Sequence, residues 1–156
     1  MRFVSLIVSL VLLLLAVGGG CGPSMETRSY RVTVENISDQ PVTIWLTKSG
    51  PPFEDLWASP EDLAHPAMGF AEREGAVLEP GDAGTIPADG TMFEGTFAPG
   101  VDAVLRVYTG RRTFSEMLAA SSSAGTLGVF VLPPGSSTVT VTKPFPVEAR
   151  VTIGAE

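Results

Sequence analysis

Short runs in which apolar and polar residues alternate one for one, each closed by proline, glycine or asparagine, constrain this chain more than any other feature. Tyr30, Val32 and Val34 alternate with Arg31, Thr33 and Glu35. After Asn36–Gln40 the pattern resumes, with Val42, Ile44 and Leu46 set against Thr43, Trp45 and Thr47. A period of two belongs to an extended strand with one dry and one wet face, because successive side chains leave opposite sides of the pleat. The residues between the runs favour a turn, since Asn, Ser and Asp side chains bond their own backbone. Pro41 opens the second run, where a missing N–H is tolerated.

The same period returns further along. Val101, Ala103, Leu105 and Val107 share a face; Val139 and Val141 alternate with Thr138, Thr140 and Thr142. The last run sets Val147, Ala149, Val151 and Ile153 inward against Glu148, Arg150 and Thr152. Met92–Phe97 reads as a further strand, and Leu127–Leu132, apolar on both faces, predicts a central one. Pro80-Gly81, Asp89-Gly90, Pro99-Gly100 and Pro134-Gly135 mark turns. Two short helices interrupt the strands. Ser59-Pro60-Glu61-Asp62 supplies a capping hydroxyl, a first-turn proline and carboxylates at the positive end, and Pro66 ends that helix early. Thr113 with Glu116 makes a capping box for a second helix through Leu118. The expected fold class is all-β: a single immunoglobulin-like antiparallel β-sandwich of about seven strands, with the two helices in loops. The hairpin built from Tyr30–Glu35, Asn36-Ile37-Ser38, Pro41-Val42 and the following strand resembles the first hairpin of exported immunoglobulin-like bacterial domains. That resemblance covers the hairpin alone and implies a fold, not an activity.

The N-terminus carries an address. Arg2 is followed by an apolar run from Phe3 to Val17, broken only by Ser5 and Ser9, then Gly18-Gly19-Gly20 and Cys21, the only cysteine. A charged start, an apolar core and small residues before a cut are the layout of a secretory signal. Gly19, Gly20 and Cys21 resemble the lipobox of bacterial lipoproteins, and the resemblance implies diacylglycerol on the Cys21 thiol after removal of residues 1–20. Two alternatives stay open, plain secretion and an uncleaved membrane helix. The apolar run as a helix reaches about 22 Å against roughly 30 Å of hydrocarbon, which disfavours the second. The domain plan is a signal peptide over 1–20, a lipidated tether over 21–28 and a β-sandwich over 29–156, with a loop and helix excursion over 49–75. The resemblance places the chain outside the cytoplasm, anchored to the cell membrane. Gly22 rather than Asp after the cysteine implies onward transport to the outer membrane in a Gram-negative cell.

The net charge is −7, and it is uneven. Between Ser49 and Leu105 stand Glu54, Asp55, Glu61, Asp62, Glu72, Glu74, Glu79, Asp82, Asp89, Glu94 and Asp102, and the only Lys or Arg is Arg73. An acidic chain is a poor partner for nucleic acid, which demands clustered Lys and Arg, and for anionic headgroups. A lone cysteine excludes a disulfide framework. His65 is the only histidine and stands beside a helix-ending proline, so neither a triad nor an imidazole metal site has its parts. No Gly-x-Ser-x-Gly, His-Glu-x-x-His or glycine-rich phosphate loop occurs. Asp89-Gly90 set as the turn of an EF-hand places Thr85, Pro87 and Thr96 at ligand positions, and the match fails. No cofactor, metal or catalytic residue is expected, and the acidic stretch reads chiefly as a solvated face.

The aromatic residues suggest more. Trp45 lies on the threonine face of its strand, and the excursion offers Phe53, Trp57 and Phe70 nearby in sequence. Either the excursion, which also carries Leu56, Leu63 and Met68, folds back on Trp45 as a second small core with Trp57 packed over it, or the aromatic residues line a groove with acidic rims. The expected function is non-enzymatic: a structural or protein-interaction role at the cell envelope, with the membrane as one partner through the lipid and an unknown envelope protein or glycan as the other. The alternative is a module binding a sugar, a peptide or calcium through residues 49–75.

Overall fold

A computed structural model describes residues 24–154. The signal expected over 1–20 and the lipidation expected at Cys21 lie outside the described residues.

Two sheets face each other. The first contains β1 (Glu26–Asn36), β4 (Ala83–Ile86), β5 (Phe93–Phe97), β8 (Gly135–Pro144) and β9 (Val147–Ile153). Its order is β4-β1-β8-β9, and β5 lies on the same side of β1 as β4: Glu26–Tyr30 pair with β5 and Val32–Glu35 with β4. The second runs β3 (Ala76–Leu78), β2 (Val42–Lys48), β6 (Ala103–Thr109), β7 (Leu127–Leu132). The all-β sandwich read from the alternation is therefore what forms. Among the described residues every pairing is antiparallel except β1 with β8, which is parallel.

The dry faces meet as expected. Tyr30, Val32 and Val34 of β1 and Val139 and Val141 of β8 pack against Val42, Ile44 and Leu46 of β2 and Ala103, Leu105 and Val107 of β6. The outer face of the first sheet is hydroxyl-rich: Thr85, Thr33, Thr138 and Thr152 stand in one row across β4, β1, β8 and β9. Asn36 organises the first turn and is fully buried. Its Nδ2 donates to the carbonyls of Gln40 (2.8 Å) and Leu78 (3.0 Å), while Oδ1 accepts from the Ser38 backbone N–H and hydroxyl. Both helices begin as read: α1 (Pro60–Ala64) and α2 (Phe114–Ala119) each carry a complete capping box, on Ser59 with Asp62 and on Thr113 with Glu116.

Some expectations fail, each for a physical reason. β7 is an edge strand, not a central one; Val129 and Val131 are 51% and 59% exposed. Only Phe130 and Leu132 turn to the core, and the valines suit the strand through their branching at Cβ. Ile153 is exposed at the last position of edge strand β9. β1 starts at Glu26, inside the stretch expected as tether, because β5 gives Glu26–Tyr30 a partner. β3 and β4 are too short to show a period; the Pro80-Gly81 turn links them as the chain crosses between the sheets.

Candidate functional site

The sandwich is incomplete along one long side. β3 covers β2 only from Val42 to Ile44, leaving Trp45–Lys48 without a strand neighbour there. On the facing sheet, β4 and β5 share the edge and leave β1 between them at Arg31. The excursion closes most of this gap. A 3-10 turn at Asp55–Trp57 lies against β2, held by Thr47 Oγ1 donating to the Trp57 carbonyl (2.7 Å) and Trp45 Nε1 donating to the Ala58 carbonyl (3.0 Å). Both donors stand on the outer face of β2 that the alternation had marked as wet. They are buried because the excursion and the two helices cover that face.

The tryptophans end in different places. Trp57 enters the main core at 1% exposure, stacked on Phe93 (centroids 4.6 Å) and edge-on to Tyr30 (5.5 Å) and Phe97 (5.3 Å). Its Nε1 donates to the Glu94 carbonyl at 2.7 Å. Gly95 makes this seat, since a Cβ there would stand 2.5 Å from the indole nitrogen. Trp45 instead joins a separate cluster outside the second sheet, with Ala58, Leu63, Tyr108, Phe114 and Met117. Phe70 packs at the margin of that cluster, whereas Phe53 is half-buried and belongs to neither core. The excursion does fold back on Trp45 as a second small core, through Ala58, Leu63 and Phe70; the expectation that Trp57 packs over Trp45 is corrected, and the four aromatic residues do not share a groove. The strands fix Trp45 on the outer face, while the gap in the edge lets Trp57 reach between the sheets.

Lys48 is buried beside Trp57, with no side-chain exposure. Its ammonium donates to Glu54 Oε2 (2.6 Å) and to the carbonyls of Thr96 (2.6 Å) and Pro52 (3.2 Å), and it sits 4.7 Å from the Phe97 centroid. Burial pushes the Glu54 carboxyl up, but the bonds from Lys48 and Thr96 outweigh it and hold the group below its ordinary value. With all three partners in place this lysine has the environment of a structural cation, satisfied and enclosed.

What the excursion leaves open is a cleft of about 470 Å³. One wall comes from the second sheet and the excursion: Ile44, Leu46, Leu56 and Ala76. The other comes from the β4–β5 edge: Ile86, Pro87 and Phe93. Trp45, Arg73 and Glu74 also line it. The Arg73 guanidinium lies 5.0 Å from the Trp45 ring centroid, and Nη2 donates to the Asp55 carbonyl at 2.6 Å. Its Nε is buried without a partner, and Arg73 makes no ion pair among the described residues. Burial pushes this guanidinium's pKa down, and the field of Asp55 offsets only part of that.

Cleft and arginine were both missed in the sequence, although one signal was available: Arg73 is the lone Lys or Arg in the acidic stretch. Elsewhere the candidate chemistry is local. His65 Nδ1 accepts from the Ala67 N–H, and Asp89 caps the Thr91 N–H and hydroxyl. Among the described residues no group of three or more His, Cys, Asp or Glu is placed to hold a metal, and no helix is long and apolar enough to cross a membrane. No protein-family model, curated protein or solved structure matches the chain.

Proposed function

We propose that this chain is a non-enzymatic interaction module of the cell envelope, held at the membrane by a lipid on Cys21, and that it takes its ligand in the cleft at the open side of the sandwich. The observation that carries the second part is the cleft itself. Apolar walls from both sheets meet at an arginine that makes no ion pair among the described residues, and a concave apolar site with a few placed polar groups is what small-ligand recognition uses. Its volume lies within the usual range for such sites.

The test is saturation-transfer NMR of full-length protein in lipid nanodiscs with 3-phenylpropionamide, a neutral apolar probe. Wild type should give transfer. Ala88→Trp, which fills the exposed rim of the cleft, should abolish it. Transfer that survives in the variant, or that never occurs, removes the cleft as the site. The anchor has its own test. Cys21→Ser should release the protein from membranes or leave it unprocessed, and a wild-type protein that fractionates as soluble without acyl mass would overturn the lipid reading.

A second reading, docking of a protein strand, is favoured by β7. This strand ends its sheet, carries neither charge nor proline, and exposes Val129 and Val131. Edge strands without such guards are open to pairing with another chain.

A further inference from the structure

The ligand class follows from how Arg73 is held, on the premise that the cleft is a ligand site. Four donors and acceptors fix the turn beneath it. Trp45 Nε1 and Arg73 Nη2 both point at the Ala58 carbonyl, at 3.0 and 3.4 Å, and Nη2 also reaches the Asp55 carbonyl. These bonds use a single nitrogen of the guanidinium. Nε is buried without an acceptor, and Nη1 has no protein partner among the described residues. Arg73 is half-buried, and the one donor shielded from water, Nε, lacks an acceptor, which carries a cost. Stacking on Trp45 recovers part of that cost, and Arg73 lines a cleft otherwise walled by Ile44, Leu46, Leu56, Ile86 and Phe93.

The surroundings limit how much negative charge can enter. Glu74 lines the same cleft and is exposed, and Asp55 lies close enough to act on the guanidinium. Arg73 can pair directly with one entering carboxylate against the field of these two. A phosphate brings more charge and meets uncompensated repulsion from both carboxylates. A sugar would leave the apolar walls unused and Arg73 without its counter-ion. We propose that the cleft binds an apolar molecule carrying a single carboxylate, with Arg73 taking the carboxylate and the walls from Leu56 to Phe93 enclosing the apolar body. A free apolar acid and the C-terminus of a peptide ending in an apolar residue share this chemistry.

Calorimetric titration of the full-length protein in nanodiscs with 3-phenylpropionate and its uncharged amide separates the ideas. The acid should bind at least about tenfold tighter than the amide, the size of one added charge-assisted bond. In Arg73→Gln that preference should shrink to within about twofold. In Leu56→Glu, on the exposed rim, both probes lose one wall contact, and the acid should weaken by about tenfold more than the amide from the added like charge. The Leu56 variant guards against a fold defect in Arg73→Gln, because it leaves Arg73 in place. Equal binding of acid and amide, or a preference that survives Arg73→Gln, overturns the carboxylate inference and leaves the cleft reading standing. Failure of both probes to bind wild type overturns both. Peptides ending in Val-Phe with free or amidated C-termini distinguish the sources. Tighter binding of the free-acid peptide than of 3-phenylpropionate supports a chain terminus, and binding of the small acid alone supports a free apolar acid.

Discussion

Trp57 and Trp45, the two tryptophans of the chain, anchor regions that are put together differently. Around Trp57 the packing comes from strands. Tyr30, Phe93 and Phe97 arrive on pleated backbone whose period sets their direction, and the indole fills the space between two sheets. Around Trp45 one strand face is covered by pieces too short to stand alone: a 3-10 turn, two helices of five and six residues, and the 65–75 segment. Helices of that length owe their stability to caps and tertiary contacts rather than to propensity. The contrast locates the cleft at the seam between a region stable through its own strands and one held on by side-chain bonds to carbonyls.

The largest effect expected from that contrast is at Trp57. Trp57→Ala should cost about 4 kcal/mol in urea unfolding, since an enclosed aromatic leaves both lost transfer energy and a cavity that strands cannot close. Gly95→Ala should also destabilise strongly, because its Cβ would meet the indole. A Trp57→Ala cost below about 1 kcal/mol, the range of exposed sites, would break the claim that this residue belongs to the main core.

Trp45→Ala should cost less, about 3 kcal/mol, at the low end for a buried aromatic, because the helices over it can settle into the space. Gly75 is the counterpart of Gly95 here, with a Cβ that would stand 2.5 Å from Thr43 Cγ2. If Trp45→Ala proves costlier than Trp57→Ala, the ranking of the two regions is reversed and the outer cluster is the more tightly coupled.

Ser59→Ala and Thr113→Ala should each cost about 1 kcal/mol, the ordinary value of an N-cap. Their sharper readout is selective: acrylamide quenching of Trp45 should rise in either variant while Trp57 stays protected, measured with the other tryptophan replaced by Phe. Equal gains at both would mean that the regions open together.

The sequence made the first region legible and the second mostly not. Period two assigned the inward faces of β1, β2, β6 and β8 because each strand is long enough to show it, even though the outer faces of β2 and β6 are themselves covered. It failed at β7, where both faces are apolar and nothing local says which side the sheet ends on. The caps on Ser59 and Thr113 were visible because they are local chemistry within four residues. The place of Trp57 was not visible: a three-residue turn has no period, and its position depends on Thr47 and Trp45 reaching its carbonyls from a distant strand. Arg73 stood out by charge alone, and only the meeting of Leu56, Ile86 and Phe93 around it gives that isolation a use.

The smallest expected effect concerns acid. Glu54 spans the boundary between the two regions: its carboxylate binds Lys48 at the edge of the main core and the Thr96 N–H of β5, while its chain position leads into the 3-10 turn. Its folded pKa lies below the ordinary 4.5. The folded state therefore holds the proton less well than the unfolded chain, and the bond contributes fully above the unfolded value. The contribution fades as the pH falls from about 4.5 through the folded value. Its side chain is 37% exposed, so water screens the pair and the contribution is modest. Comparing wild type with Glu54→Gln cancels the other carboxylates. The stability gap between them should be constant from pH 7 to about pH 5 and narrow on further acidification. A gap that stays the same at pH 3 would show that shape rather than charge holds residue 54. A gap that widens would contradict the direction of the shift and detach Lys48 from its assigned partner.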